Sequence, residues 1–174
     1  MLTKKGKYGL KALIALARLP EGQTAFSAEI ARENHIPKKF LDAILLELRN
    51  AGMLRSRKGP NGGYGLLMPA SQIRIGQAIR VIDGPLAPIR CASRTAYEGC
   101  DDCLDPATCL VRRAMTEVRD AMAAILDKLT LEQMVQSDWA EGDWAAGEWI
   151  SGVARPRSPS ASSEHVTGTT EPAE

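Results

Sequence analysis

The stretch MLRSRKGPNGGYGLL, residues 53–67, decides how this chain is read. Leu54-Arg55-Ser56-Arg57-Lys58 and Tyr64-Gly65-Leu66-Leu67 can pair as a hairpin, because Gly59-Pro60-Asn61-Gly62-Gly63 supplies the turn between them. Arg55, Arg57 and Lys58 put three cations on the strand that leads into this turn, beside glycines that let backbone approach a phosphate closely. A surface hairpin with solvated charges would look similar in isolation. What precedes it changes the reading.

Three helices are expected upstream. Leu10, Leu13, Ile14 and Ala17 recur at helical spacing until Pro20-Glu21-Gly22 stops the run. A second helix starts from Ser27 as N-cap and ends near Asn34-His35-Ile36-Pro37. A third starts at Pro37 and runs through Phe40, Leu41, Ile44, Leu45 and Leu48 to Asn50, with Gly52 placed to end it. Two helices joined by a short turn, followed by a glycine-rich hairpin, form a winged helix-turn-helix, in which the second helix of the pair and the wing meet duplex DNA.

Charge agrees with this. Residues 1–80 hold 14 Lys and Arg against 5 Asp and Glu, a net of +9, whereas residues 81–174 hold 8 against 16, a net of −8. A basic half followed by an acidic half suits a polyanion-binding domain with a second function attached. No apolar run reaches the ~20 residues of a membrane span, and Met1-Leu-Thr-Lys-Lys lacks a secretory core, so the expectation is a cytoplasmic protein with no membrane partner.

All four cysteines fall in one stretch: Cys91, Cys100, Cys103 and Cys109. In a reducing compartment such a cluster points to a metal, an iron-sulfur cluster or redox-active thiols before structural disulfides. Structural zinc sites usually combine two close pairs, and here only Cys100 and Cys103 form one. A thiol enzyme is disfavoured because no histidine lies near these cysteines to serve as base. Asp105-Pro106 has the form of a helix start, which places Cys109 in a first turn where the backbone dipole favours thiolate. Beyond it, Val111, Met115, Val118, Met122, Ile125 and Leu129 make a seam suited to packing along another helix, and Thr130 with Gln133 reads as a capping box opening a final short helix.

The order Lys-Gly-Lys-Tyr-Gly-Leu, Leu48-Arg49-Asn50-Ala51-Gly52, Lys58-Gly59-Pro60-Asn61-Gly62-Gly63-Tyr64 and Ile82-Asp83-Gly84-Pro85 resembles the IscR, NsrR and CymR family of bacterial regulators from Met1 to about Val135. The resemblance implies a homodimeric winged-helix repressor on a palindromic double-stranded operator. It implies DNA contacts from Lys38, Lys39, Asp42 and Ala43, early in the third helix, and from Arg55, Arg57, Lys58, Gly62, Gly63 and Tyr64 in the wing. Many members hold a 2Fe-2S or 4Fe-4S cluster on three cysteines, which map to Cys91, Cys103 and Cys109, with Cys100 as an additional candidate. The histidine that completes some of these sites is replaced here by Arg112 and Arg113. A cofactor-free thiol switch on the same fold and a zinc-stabilised interaction module remain alternatives.

The expected organisation is mainly α with a small β wing: residues 1–84 as the DNA-binding domain, 85–109 as the cysteine loop, 106–136 as a dimerisation helix and a short final helix, and 137–174 as a tail. That tail holds Trp139, Trp144 and Trp149, then a Ser-, Pro- and Thr-rich end of disordered composition.

Overall fold

Helix α1 (Lys4–Ala17) starts where Thr3 turns its hydroxyl back to accept from the N–H groups of Lys5 and Gly6, at 3.1 and 3.2 Å. The same hydroxyl donates to Asp83 Oδ1 at 2.6 Å, while the Thr3 N–H donates to Oδ2 at 2.8 Å. One carboxylate thus ties the start of α1 to the end of α4 (Ile75–Asp83). The computed structural model describes residues 2–60, 62–103 and 105–136; Trp139, Trp144, Trp149 and the tail lie outside the described residues.

Helix α2 (Ser27–Glu33) begins one residue earlier than its expected cap implies. Ser27 is already helical, the cap position falls on Phe26, and Glu29 supplies the side-chain contact by accepting from the Phe26 N–H at 3.1 Å. The chain leaves α2 through His35, whose φ of 53° closes the turn: the Ile36 N–H reaches the Ala31 carbonyl at 2.9 Å. Helix α3 (Lys38–Asn50) follows at once, with Pro37 at its cap position rather than inside it. It ends on Gly52 at φ 76°, where Met53 N–H bonds the Leu48 carbonyl and Gly52 N–H the Arg49 carbonyl, both at 3.0 Å. These two turns aim α2 and α3 as a helix pair.

The hydrophobic core explains the pair's orientation. Leu41, Ile44, Leu45 and Leu48 repeat at steps of three, one and three, and all are fully buried against Leu13 and Leu16 of α1, Ile30 of α2, and Ile75 and Ile79 of α4. Phe40 lies off this stripe and is 57% exposed. On α1, Leu10, Leu13 and Leu16 face inward, while Ile14 and Ala17 are half-buried at the rim.

The wing consists of β1 (Leu54–Arg57) and β2 (Gly63–Leu66), antiparallel, with Leu54 opposite Leu66 and Arg57 opposite Gly63. Its base is anchored on both sides. Leu54 is buried in the core, and Ala25 pairs with Tyr64 through reciprocal backbone hydrogen bonds of 2.9 and 2.8 Å. Gly63 sits at φ 122°, and a Cβ there would collide with the Ala25 carbonyl.

After α4 the chain passes a short 3-10 turn at Arg90–Ala92 and the cysteine loop, then forms α5 (Leu110–Leu126) and α6 (Leu131–Gln136). The capping box at Thr130 and Gln133 is present, with reciprocal bonds of 2.9 and 3.1 Å. The C-terminal end of α5 is fastened to α4 and the residues just before it. Arg80 binds Asp127 through both of its terminal nitrogens, and Ile75 N–H and Leu131 N–H pair with the carbonyls of Leu129 and Ile73 at 2.9 Å. Leu129, expected on the seam, instead packs on its own core together with Leu126.

Replacing Gly63 by alanine should lower unfolding free energy by about 1–3 kcal/mol, the cost of a side chain in this backbone region combined with a backbone clash. Urea denaturation measures it; an unchanged midpoint would show that the Ala25–Tyr64 anchor is not rigid.

Candidate nucleic-acid interface and cysteine loop

The helix pair and the wing present their cations to solvent. Lys38, Lys39, Arg55, Arg57 and Lys58 are all exposed. They are not equally free. Lys38 Nζ pairs with Asp42 Oδ2 at 2.7 Å one turn on, and this hydrogen bond holds the Asp42 carboxyl below the ordinary carboxylate range. Arg55 turns back from the wing and donates to the Gly22 carbonyl at 2.6 Å. Among the described residues, no carboxylate pairs with Lys39, Arg57 or Lys58. Gly62 is buried, and its N–H bonds the Gly59 carbonyl at 2.9 Å; Tyr64 is half-buried against the core. Gly62, Gly63 and Tyr64 therefore build and seat the turn, while Arg57 and Lys58 are its outward cations.

The cysteine loop gathers around the start of α5. Asp105-Pro106 is not that start: Asp105 Oδ1 accepts from the Ala107 N–H at 2.9 Å in a local turn, and the helix opens at Leu110. The cap is Cys109 itself, whose Sγ accepts from the Arg112 N–H at 3.5 Å. That backbone hydrogen bond lowers the Cys109 thiol pKa and so favours thiolate. Cys103 lies beside it, raised first by desolvation and then by its hydrogen bond with Cys109. Cys100 is exposed and is pushed up to about 11, chiefly by its hydrogen bond with Cys91, which is buried in the 3-10 turn. The thiols influence one another mainly in two pairs, Cys91 with Cys100 and Cys103 with Cys109, while charge on Cys91 also acts on Cys103 and charge on Cys103 on Cys100.

Thiolates are the ordinary ligands of iron-sulfur clusters, and a helix start that favours a thiolate is suited to hold one. By donor chemistry the loop fits such a group. Among the described residues, however, no three His, Cys, Asp or Glu side chains are grouped closely enough to hold a single metal ion.

Arg112 holds the loop against α5. Its Nε donates to the Cys91 carbonyl at 2.9 Å, its Nη1 to the Pro106 carbonyl at 3.1 Å, and its guanidinium lies 5.6 Å from the centre of the Tyr97 ring. Two turns on, Arg119 donates to the Ala92 carbonyl at 2.5 Å and to Asp120, which also receives Arg94 at 3.1 Å. Sequence reasoning set Arg112 and Arg119 on the faces of the helix away from the seam, and Arg112 where a histidine completes some related sites, without assigning either a partner. The available signal was two arginines seven residues apart, on one face of a helix and next to a loop rich in carbonyls.

The chain matches, over residues 2–137, the family described as Rrf2, iron-dependent transcriptional regulator. It is 46% identical over 138 residues to the rrf2-like HTH-type transcriptional regulator of Rhodobacter capsulatus, covering 78% of this chain and 92% of that protein. Among solved structures it resembles CymR, the global cysteine regulator of Bacillus subtilis, with a TM-score of 0.63 at 32% identity over 78% of this chain and 95% of that one. It also resembles the oxidized form of Staphylococcus aureus CymR, with a TM-score of 0.62 at 31% identity over 78% and 96%.

Arg112→Ala should release the loop. In the reduced, metal-free protein, alkylation of the buried Cys91 should accelerate at least several-fold while helix content is retained, because two charge-assisted hydrogen bonds to backbone are lost. Unchanged Cys91 reactivity would mean that the loop is held by something else.

Proposed function

The chain belongs to the Rrf2 family of transcriptional regulators, and from that membership we propose a cytoplasmic homodimeric repressor that binds a palindromic duplex operator and senses iron-sulfur or redox status through its cysteine loop. The observation that supports the sensing role most strongly is the convergence on one helix start: Cys109 caps α5, and Arg112 in the next turn holds the Cys91 backbone. On this reading Lys38, Lys39, Arg57 and Lys58 contact phosphate or groove, Asp42 and Arg55 adjust their neighbours, and Gly62, Gly63 and Tyr64 shape the wing.

Cys91, Cys103 and Cys109 would hold the cluster, with Cys100 beside them. When bound, an iron-sulfur cluster supplies a centre that responds to oxidants and to nitric oxide. The chain does the rest. Drawing Cys91 toward the Cys103–Cys109 pair tightens the Arg90–Ala92 turn on α5, and α5 transmits the change to α4 through Arg80 and Asp127. Releasing the thiols relaxes that path and alters the spacing of two wings in a dimer.

The paired sulfurs favour a second reading, a cofactor-free switch. Cys103 and Cys109 could close to a disulfide by giving two electrons and two protons to an oxidant, with Cys109, the lower-pKa thiol, reacting first. The likeness to a relative solved in an oxidized form supports this course.

Protein purified without oxygen separates the two. The cluster reading predicts a coloured, iron-containing protein that Cys91→Ser, Cys103→Ser and Cys109→Ser each bleach, while Cys100→Ser stays coloured. Colourless, iron-free protein with four reduced thiols, whose DNA affinity changes on mild oxidation, would establish the thiol switch instead.

A further inference from the structure

The outward face of α3 carries an apolar ridge in the most basic part of the molecule. Because Leu41, Ile44, Leu45 and Leu48 point inward, the stripe opposite them is Lys39, Ala43, Leu46 and Asn50, all of them exposed. Only the two ends of this stripe can form side-chain hydrogen bonds. Its middle is a methyl and an isobutyl group, and Phe40, three residues before Ala43, extends the carbon surface: Phe40 is 57% exposed and Leu46 43%. On the flank, the Asp42 carboxylate that could accept from a base is already paired with Lys38 at 2.7 Å.

We propose that α3 recognises thymine through its 5-methyl group, with Ala43 as the contact point and Phe40 and Leu46 closing around it. This rests on the DNA-binding reading above and adds the base class that is read. In the major groove, thymine is the one standard base that offers a methyl group; the others present donors or acceptors that a carbon ridge would strip of water without replacing the hydrogen bonds. Charge identifies duplex DNA as the occupant, since residues 1–80 carry a net of +9, Lys39 stands on the stripe itself, and among the described residues no carboxylate pairs with Lys39 or with Arg57 and Lys58 of the wing. A partner protein would have to cover those cations as well.

The test uses the full chain and duplexes it selects from a randomised pool. In each half-site, every thymine is replaced in turn by deoxyuridine, which removes the methyl group and nothing else. At one or more positions the affinity should fall about fourfold, the equivalent of roughly 0.8 kcal/mol for one buried methyl at 25 °C. Ala43→Gln replaces carbon with an adenine-reading amide on an exposed helical position, so it should abolish the deoxyuridine effect at that position and change the selected base there. Selected duplexes that bind equally well with uracil at every position would overturn the methyl reading while leaving DNA binding in place. So would an Ala43→Gln protein that keeps both the effect and the base. Failure to enrich any duplex would remove the DNA-binding reading, and this proposal with it.

Discussion

Helix α5 has 17 residues and fully buries none of its side chains within its own chain; only Leu126, at its end, packs on the core. That constraint shapes the rest of the molecule. An isolated helix of this length is marginal in water, and helices in proteins draw most of their stability from an apolar face packed on something. Here the apolar face exists, but much of it meets solvent: Leu110 is 77% exposed and Val111 64%, with Val118 also open. Arginines hold α5 instead, Arg112 at its start and Arg119 midway along it at the cysteine loop, and Arg80 through Asp127 at its end. A helix held this way with a bare apolar side is suited to a two-fold interface, in which the self-complementary partner would be a second α5.

This arrangement explains how a thiol event could reach DNA. The Arg90–Ala92 turn, the helix cap at Cys109 and the arginine contacts are polar and directional, so a change in sulfur ligation or oxidation alters which of them can be satisfied. The domain beyond is stiff: α3 is seated by four fully buried side chains, and the wing is anchored through Leu54 and the Ala25–Tyr64 pairing. A small displacement of α5 would therefore move the helix pair and wing as one body rather than being absorbed inside the domain. In a dimer that motion becomes a change in half-site spacing, the quantity a palindromic operator measures.

Much of the DNA-binding half was legible in the sequence because its signals are local. The periodicity of Leu41, Ile44, Leu45 and Leu48, the glycine at position 52 and the turn at 59–63 each state their own conformation, and all three reappear in the structure. The errors fall where a residue's role depends on distant partners. Leu129 continued the spacing of the α5 seam, but the chain turns there and the side chain packs on its own core. Asp105-Pro106 matched a helix start, yet the backbone spends that signal on a local turn and the cap passes to Cys109, a residue rarely chosen for the role. Arg112 could not be read as a clamp without knowing that the Cys91 carbonyl, 21 positions away, would lie within its reach.

We propose that α5 is completed by a second copy of the chain, and sedimentation equilibrium of Val118→Glu tests this. Val118 is 43% exposed in the single chain, so a charge there is compatible with the fold of one protomer, whereas in a paired seam it would be buried without a partner. The account predicts that the unmodified protein sediments at twice the 18.8 kDa chain mass and that the variant, with its helix content intact, sediments at the single mass. A variant that keeps the double mass, or an unmodified protein that never reaches it, would contradict the account.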